Sequence, residues 1–257
     1  MYALHSARHF SSLAVYYGII GYPLSHSFSP AYFRKKFADM HISARYDAMP
    51  LQAIDNLPAL LETKPDLAGL NVTIPYKEAV IPYLHEIDEV VAVTGACNCI
   101  AIRNGYRKGY NTDVVGFEQS LIPLLAGHHS RALVLGTGGS SRAVRYVLSQ
   151  LGIPFTQVSR EAAPGCITWE NLTADIVARH RLIVNTTPVG MYPDIEAILP
   201  MPWDALTGHH LLYDLIYNPE ETTFLREGRL RGAVTKNGFE MLQIQAEASW
   251  DIWTQPH

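Results

Sequence analysis

No apolar run in this 257-residue chain reaches the roughly 18 residues that a bilayer-spanning helix needs. The longest candidate, near Leu13 to Ile20, is interrupted by two tyrosines and a glycine. Charge of either sign is also sparse. Twenty Lys and Arg against 24 Asp and Glu leave a net charge of −4, without the basic surface of a nucleic-acid binder and with little attraction to anionic membrane. An anion bound here has to meet a local site rather than a global field. Cysteine is scarce: Cys97, Cys99 and Cys166 cannot all pair, and the first two stand too close for a routine disulfide. They are expected as buried small hydrophobes in a reducing, cytoplasmic setting. Internal repeats, charge runs and long Gly/Ser linkers are missing, and 16 Pro with 18 Gly are ordinary, which excludes collagen-like and low-complexity chains. The pairs His128-His129 and His209-His210 lack the i, i+4 spacing and the Cys or acidic companions of a metal site, so no metal is expected.

Apolar residues make up 48% of the chain, enough for a sizeable core, and the length fits one large domain or two smaller ones. The first sixteen residues hold Arg8, two His and three Ser with no acidic residue, a faintly transit-like composition. One Arg is thin support, and a disordered or mis-started N-terminus is the expectation.

Strand-like and helix-like stretches alternate. Val15 to Pro23 reads as a buried strand, followed by a helix with Ser29 as N-cap, Pro30 as first helical residue and Phe33/Phe37 on one face. A strand at Ala44 to Ala48, a helix near Leu51 to Leu61 and a strand at Gly69 to Thr73 follow, which argues for an α/β layer structure with a largely parallel sheet. A second series starts at Arg131, with a strand, a glycine turn, a helix closed by Gly152, and strands in PFTQVS, RLIVNTTP and LLYDLIY. The chain closes on an apolar helix containing Met241, Ile244, Trp250 and Trp253. Two α/β units separated near residues 114 to 120 fit this pattern.

Gly136-Thr137-Gly138-Gly139-Ser140-Ser141 sits between a predicted strand and a predicted helix, where glycines let the backbone approach a pyrophosphate at a helix N-terminus. Any tight strand-to-helix connection can use the same glycines, and Ser141 stands where the usual fingerprint has a third. Arg160, 22 residues beyond Gly138, favours a 2′-phosphate and hence NADP, while Glu161 beside it dilutes the charge. In the first half, polar groups recur at successive strand ends: Ser25 to Ser29, Asn71 to Lys77, Asn98, and Asn111-Thr112-Asp113. Hydroxyls and amides so placed suit a small polyhydroxy ligand, and a Lys with an Asp can form a proton-transfer pair. Singly, each has a plain reading as a helix cap, a turn amide or a solvated charge.

In these segments the sequence resembles the shikimate dehydrogenases. GYPLSHSFSP, GLNVTIPYKE, GACNCI, NTDVVGF, GTGGSSRAV, NTTPVGM and NGFEMLQIQA look like that family's signature segments, in order, from about Tyr17 to Trp253. The resemblance implies reversible reduction of 3-dehydroshikimate to shikimate with NADPH. It implies an N-terminal α/β substrate domain (residues 1–113 and 237–257) and a Rossmann-like NADP-binding domain (residues 114–236), with the C-terminal helix returning to the first. It implies Lys77 and Asp113 as the catalytic pair, and Ser27, Ser29, Thr73, Asn98, Tyr217 and Gln245 as substrate contacts. On the cofactor side it implies Gly136, Thr137, Gly138, Gly139 and Ser140 at the pyrophosphate, Ser159 and Arg160 at the 2′-phosphate, and Leu215 and Gly238 beside the nicotinamide. His26 is expected to brace the serine loop. The implied partner is a small molecule, with no nucleic acid or membrane, and the chain is a monomer or homodimer. Tyr76, Cys99 and Glu240 depart from the family's commoner Phe, Thr and Gly, and no second basic residue follows Arg160 in Glu161-Ala162-Ala163-Pro164-Gly165. An NAD-using quinate/shikimate dehydrogenase therefore stands as an alternative; a non-catalytic shikimate sensor is another, against which the retention of Lys77 and Asp113 speaks, and a related folate dehydrogenase is a weaker third.

Overall fold

The computed structural model describes residues 15–25 and 27–255. The expectation for residues 1 to 16 falls almost wholly outside the described residues, and that for His26 wholly so.

The first sheet comprises β1 (Val15–Gly21), β2 (Ala44–Pro50), β3 (Leu67–Val72), β4 (Glu86–Ile87), β5 (Cys99–Arg103) and β6 (Tyr106–Tyr110), in the order β2-β1-β3-β5-β6-β4. Helices α1 (Ser29–Asp39), α2 (Leu57–Glu62) and α3 (Glu89–Thr94) interrupt it. β1 runs parallel to β2 and β3, as the alternation predicts, but β5 runs antiparallel to both β3 and β6. This sheet is therefore mixed rather than largely parallel. The β5–β6 reversal has a local cause: Asn104 (φ 51°) and Gly105 (φ 79°) are the left-handed central pair of a two-residue hairpin, a conformation that Asn-Gly accepts readily.

Two local expectations also shift. Ser29 is the first residue of α1 and not its cap; Phe28 holds the cap position with no side-chain cap bond, and Ser29 is buried beside Tyr46. The second helix begins later than expected, after a 3₁₀ turn at Ile54–Asn56, because Pro58 lacks an N–H and is tolerated only in a helix's first turn.

The second sheet has β7 (Ala132–Leu135), β8 (Phe155–Ser159), β9 (Cys166–Thr168), β10 (Leu182–Asn185), β11 (Leu211–Asp214) and β12 (Val234–Lys236), in the order β12-β11-β10-β7-β8-β9 with every pairing parallel. Its central strands are buried throughout, and apolar except for Asn185 and Asp214 at their carboxyl ends, because α5 (Gly139–Gln150) covers one face while α6 (Ala174–Arg179) and α7 (Thr223–Leu230) cover the other. Val134 and Val184 pack with Val144 and Val147 of α5, whereas Leu133, Ile183 and Leu212 pack with Val177 and Phe224.

Helix α4 (Thr112–Leu121) leads from the first sheet to the second, and α8 (Phe239–Thr254) packs along it. The N-terminal end of α8 joins the second core through Met241, next to Phe117 and Tyr213; its C-terminal half joins the first through Ala246 and Trp253. Trp253 stacks on Tyr17 at 4.8 Å and donates its indole N–H to the Ile100 carbonyl at 3.0 Å.

Candidate active site

In open α/β sheets ligands lie beyond the carboxyl ends of the strands, where strand order reverses. That point falls at β1 in the first sheet, flanked by β2 and β3, and at β7 in the second, flanked by β8 and β10. The segments leaving these ends carry the polar residues singled out above: Ser27 and Ser29 after β1, Thr73 and Lys77 after β3, and Gly136 to Ser140 after β7. The two ends meet, since a methyl group at Gly139 would lie 3.7 Å from Cβ of Lys77.

Lys77 Nζ donates to Asp113 Oδ2 at 2.6 Å, with the two side chains only 13% and 11% exposed, so neither is a solvated surface charge. The other carboxylate oxygen, Oδ1, accepts from Asn98 Nδ2 at 2.9 Å. Asn98 is oriented in turn by its own Oδ1, which accepts the Thr112 backbone N–H at 2.7 Å, and its Nδ2 lies 3.4 Å from Gln245 Oε1. Lys77, Asp113, Asn98 and Gln245, far apart in the chain, thus share one network. Tyr46, beside Ser29, joins it: its hydroxyl donates to Asn71 Oδ1 at 2.8 Å, while Asn71 Nδ2 donates to Ser249 Oγ at 2.9 Å and Ser249 lies 3.2 Å from Thr112 Oγ1.

Sequence reasoning gave no individual role to Asn71 and Thr112 and did not single out Tyr46 and Ser249. Ser249 carried a usable signal, standing one helical turn beyond Gln245 on the same face of α8. Tyr46 carried none, being one more aromatic in a strand.

Ser27, Thr73 and Tyr217 are held by other contacts. Ser27 closes a turn onto the Leu24 carbonyl at 3.1 Å, and Thr73 N–H donates to the Ile20 carbonyl at 2.9 Å. Tyr217 is tied to the Phe28 backbone, with its ring 6.2 Å from the Phe28 ring, and burial raises its phenol above the ordinary value. Tyr217 therefore borders the serine loop from the side of the second sheet. Gly238 comes to the same region: its N–H donates to the Ile216 carbonyl at 3.0 Å, and a Cβ there would fall on the Leu215 carbonyl.

The glycine turn fits a dinucleotide. Gly136 has φ 106°, and a side chain on it would run into Thr186 Oγ1 at 2.9 Å, so only glycine can stand there. A Cβ on Gly138 would meet nothing within 4 Å, and α5 starts beyond it with no side-chain cap, leaving first-turn N–H donors for an anion. Gln157 Nε2 braces the turn through the Gly136 carbonyl at 2.8 Å. Arg160 is exposed just past β8 and takes no part in the Lys77 network. At the end of β11, Asp214 accepts from Asn185 Nδ2, Ile216 N–H and the Thr222 hydroxyl; burial pushes its carboxyl up to about 7, against the pull of these donors.

Residues 19–100 match the family model of the shikimate dehydrogenase substrate binding domain. A shikimate dehydrogenase (NADP(+)) from Halothermothrix orenii is 38% identical over 266 residues, covering 92% of this chain and 90% of that protein. The chain belongs to the shikimate dehydrogenase family. The crystal structure of shikimate dehydrogenase from Aquifex aeolicus superposes with a TM-score of 0.82 at 31% identity, over 95% of this chain and 93% of that one. Shikimate 5-dehydrogenase from Thermus thermophilus, in complex with NADP(H) and shikimate, gives a TM-score of 0.84 at 29% identity, over 93% of each chain.

The departures from the shikimate dehydrogenase pattern are absorbed locally. The Tyr76 hydroxyl, which the commoner phenylalanine lacks, donates to the Leu51 carbonyl at 2.6 Å. Cys99 is fully buried with its side chain against Ser249, and burial raises its thiol, as it raises that of Cys97 to about 12, so both are inert packing groups. The two histidine pairs meet, with His128 and His209 rings 5.4 Å apart, near the amino ends of β7 and β11 and thus away from the carboxyl ends that carry the site. Among the described residues no group of three or more metal-binding side chains forms, and no helix is long and apolar enough to cross a membrane.

Proposed function

We propose that this chain catalyses the reversible NADPH-dependent reduction of 3-dehydroshikimate to shikimate, a step towards chorismate and the aromatic amino acids, in the cytoplasm. One observation carries the reading: a nearly buried Lys–Asp pair, 2.6 Å apart, packed against the glycine turn of a parallel sheet. In this reading residues 1–113 and 237–257 form the substrate domain and residues 114–236 the NADP-binding domain.

Ser27 and Ser29 bind the substrate carboxylate, which is how a chain of net charge −4 holds an anion with hydroxyls. Thr73, Asn98, Tyr217 and Gln245 contact the ring and its hydroxyls. Gly136 to Ser140 hold the pyrophosphate, Ser159 and Arg160 the 2′-phosphate, and Leu215 and Gly238 border the nicotinamide. NADP, when bound, supplies the hydride chemistry at the substrate carbon. Lys77 gives its proton to the oxygen of the ketone as that carbon is reduced, and receives it back in the oxidation. Asp113 keeps the ammonium aimed through Oδ2, while Asn98 fixes Oδ1 and so the carboxylate plane.

The acidic Glu161 beside Arg160 and the lack of a second cation through Gly165 favour a second reading, an NAD-using quinate/shikimate dehydrogenase. Initial rates with shikimate and quinate, each with NADP and NAD, separate the two. The proposal expects the highest kcat/KM for shikimate with NADP; quinate with NAD as the best pair carries the second reading, and shikimate binding without turnover on either cofactor refutes both.

A further inference from the structure

We propose that Arg142 is a positioning residue that sets the glycine turn in register with the catalytic pair; this rests on the dehydrogenase reading. Arg142 lies at the start of α5, three residues after Gly139, on the same short stretch of backbone that faces Lys77. Its guanidinium reaches out of the second sheet's layer and forks. Nη2 donates to Glu78 Oε2 at 2.6 Å, and Nη1 donates to the Thr94 carbonyl at 3.2 Å.

The two acceptors stand at the roots of the two catalytic residues. Glu78 directly follows Lys77. Thr94 ends α3, and its Oγ1 accepts from Asn111 Nδ2 at 3.2 Å, two residues before Asp113. Asn111 Nδ2 also donates to the Ala96 carbonyl at 3.0 Å, and Cys97 N–H donates to the Lys77 carbonyl at 2.7 Å, so these backbone segments are joined to one another. One planar cation thus ties the anion-binding end of α5 to the segments that deliver both Lys77 and Asp113. Gly95 makes the approach possible: a Cβ there would lie 2.6 Å from Arg142 Nη1, and the residue's φ of 63° already suits glycine.

Stability does not explain the arrangement. The Glu78 and Arg142 side chains are 50% and 36% exposed, and ion pairs so hydrated contribute little. Register does explain it, because misplacing reacting groups by about 1 Å lowers rates by roughly 100-fold.

The test compares Arg142→Met, Glu78→Gln and the double variant with the wild-type enzyme. Arg142→Met is expected to lower kcat for shikimate oxidation by about 10- to 100-fold, with KM for shikimate and the calorimetric Kd for NADP within about threefold. The isotope effect on kcat with shikimate deuterated at the oxidised carbon should rise, and amide exchange at residues 94–98 and 139–142 should accelerate without a matching fall in Tm. Glu78→Gln should lose less, and the double variant no more than Arg142→Met, since both act on one interaction. Unchanged kcat overturns the proposal, as does a weakened NADP Kd at normal kcat, which would make Arg142 a phosphate ligand. Losses in both single variants that only track a lower Tm overturn it too. A wild-type enzyme inactive on shikimate with either cofactor instead removes the dehydrogenase reading itself.

Discussion

Replacing Lys77 by methionine removes the ammonium while keeping an unbranched chain of similar length, so the space around it stays filled. Two consequences follow from the geometry. The proton donor is lost, and positioned proton transfer typically contributes about 10²- to 10⁴-fold, or roughly 2.7–5.4 kcal/mol of barrier at 1.36 kcal/mol per decade. Asp113 also loses its charged donor at Oδ2 while keeping Asn98 at Oδ1, which leaves a nearly buried carboxylate half-satisfied and costs about 1–3 kcal/mol of stability. The two losses are separable by experiment. Kinetics of shikimate oxidation at saturating NADP should show kcat reduced by roughly 10²- to 10⁴-fold with KM for shikimate within about threefold, because the proposal assigns the substrate carboxylate to the serine loop and not to Lys77. Denaturant unfolding should show a modest fall in midpoint. Near-normal kcat in a folded Lys77→Met enzyme refutes the role of Lys77, and so does a loss confined to KM.

Arg160→Ala should lower kcat/KM for NADP by roughly 10- to 100-fold, the value of a charge-assisted phosphate contact, and leave that for NAD within about twofold; equal losses on both cofactors contradict the 2′-phosphate role. Gly238→Ala drives a methyl group onto the Leu215 carbonyl and should destabilise the fold by about 1–3 kcal/mol, read as a Tm lower by several degrees, whereas an unchanged Tm would show that the two backbones do not approach. Asp214, held up to about 7 in the fold against an ordinary 3.8, makes the folded protein bind more protons than the unfolded chain between those values, so its stability contribution declines as pH rises through that window. Urea unfolding at pH 5 and pH 8 should therefore show the stability of Asp214→Asn, relative to the parent, increasing with pH; a flat or falling difference contradicts the burial argument.

The second sheet was legible because strands buried on both faces are written as continuous apolar runs, and Gly136 to Ser141 between a strand and a helix left little freedom for what lay there. The first sheet was less so. Its strand–helix–strand opening is readable, but the return through β5 and β6 breaks that alternation, and only the short Asn104-Gly105 turn marks the hairpin. Ser29 reads locally as a helix cap because that is what a serine before a proline most often is; in the fold it is the first helical residue, buried beside Tyr46, a neighbour that no local pattern supplies. The same limit applies to the site. Lys77 and Asp113 were identified through motif resemblance, yet the Asn71–Ser249 bond joins residues 178 positions apart and exists only once α8 has returned across the first sheet. The two histidine pairs meet by the same kind of long-range packing. Periodicity names elements and motifs name roles, while the hydrogen bonds that orient Asp113 belong to tertiary structure.

The most direct measurement follows an isotope. Shikimate carrying deuterium on the C3 carbon, incubated with the enzyme and NADP, should give reduced cofactor with one deuterium per turnover by mass spectrometry, and no label in water. Label released to solvent, or 3-dehydroshikimate formed without labelled cofactor, would contradict direct hydride transfer in a site where Lys77 handles only the proton.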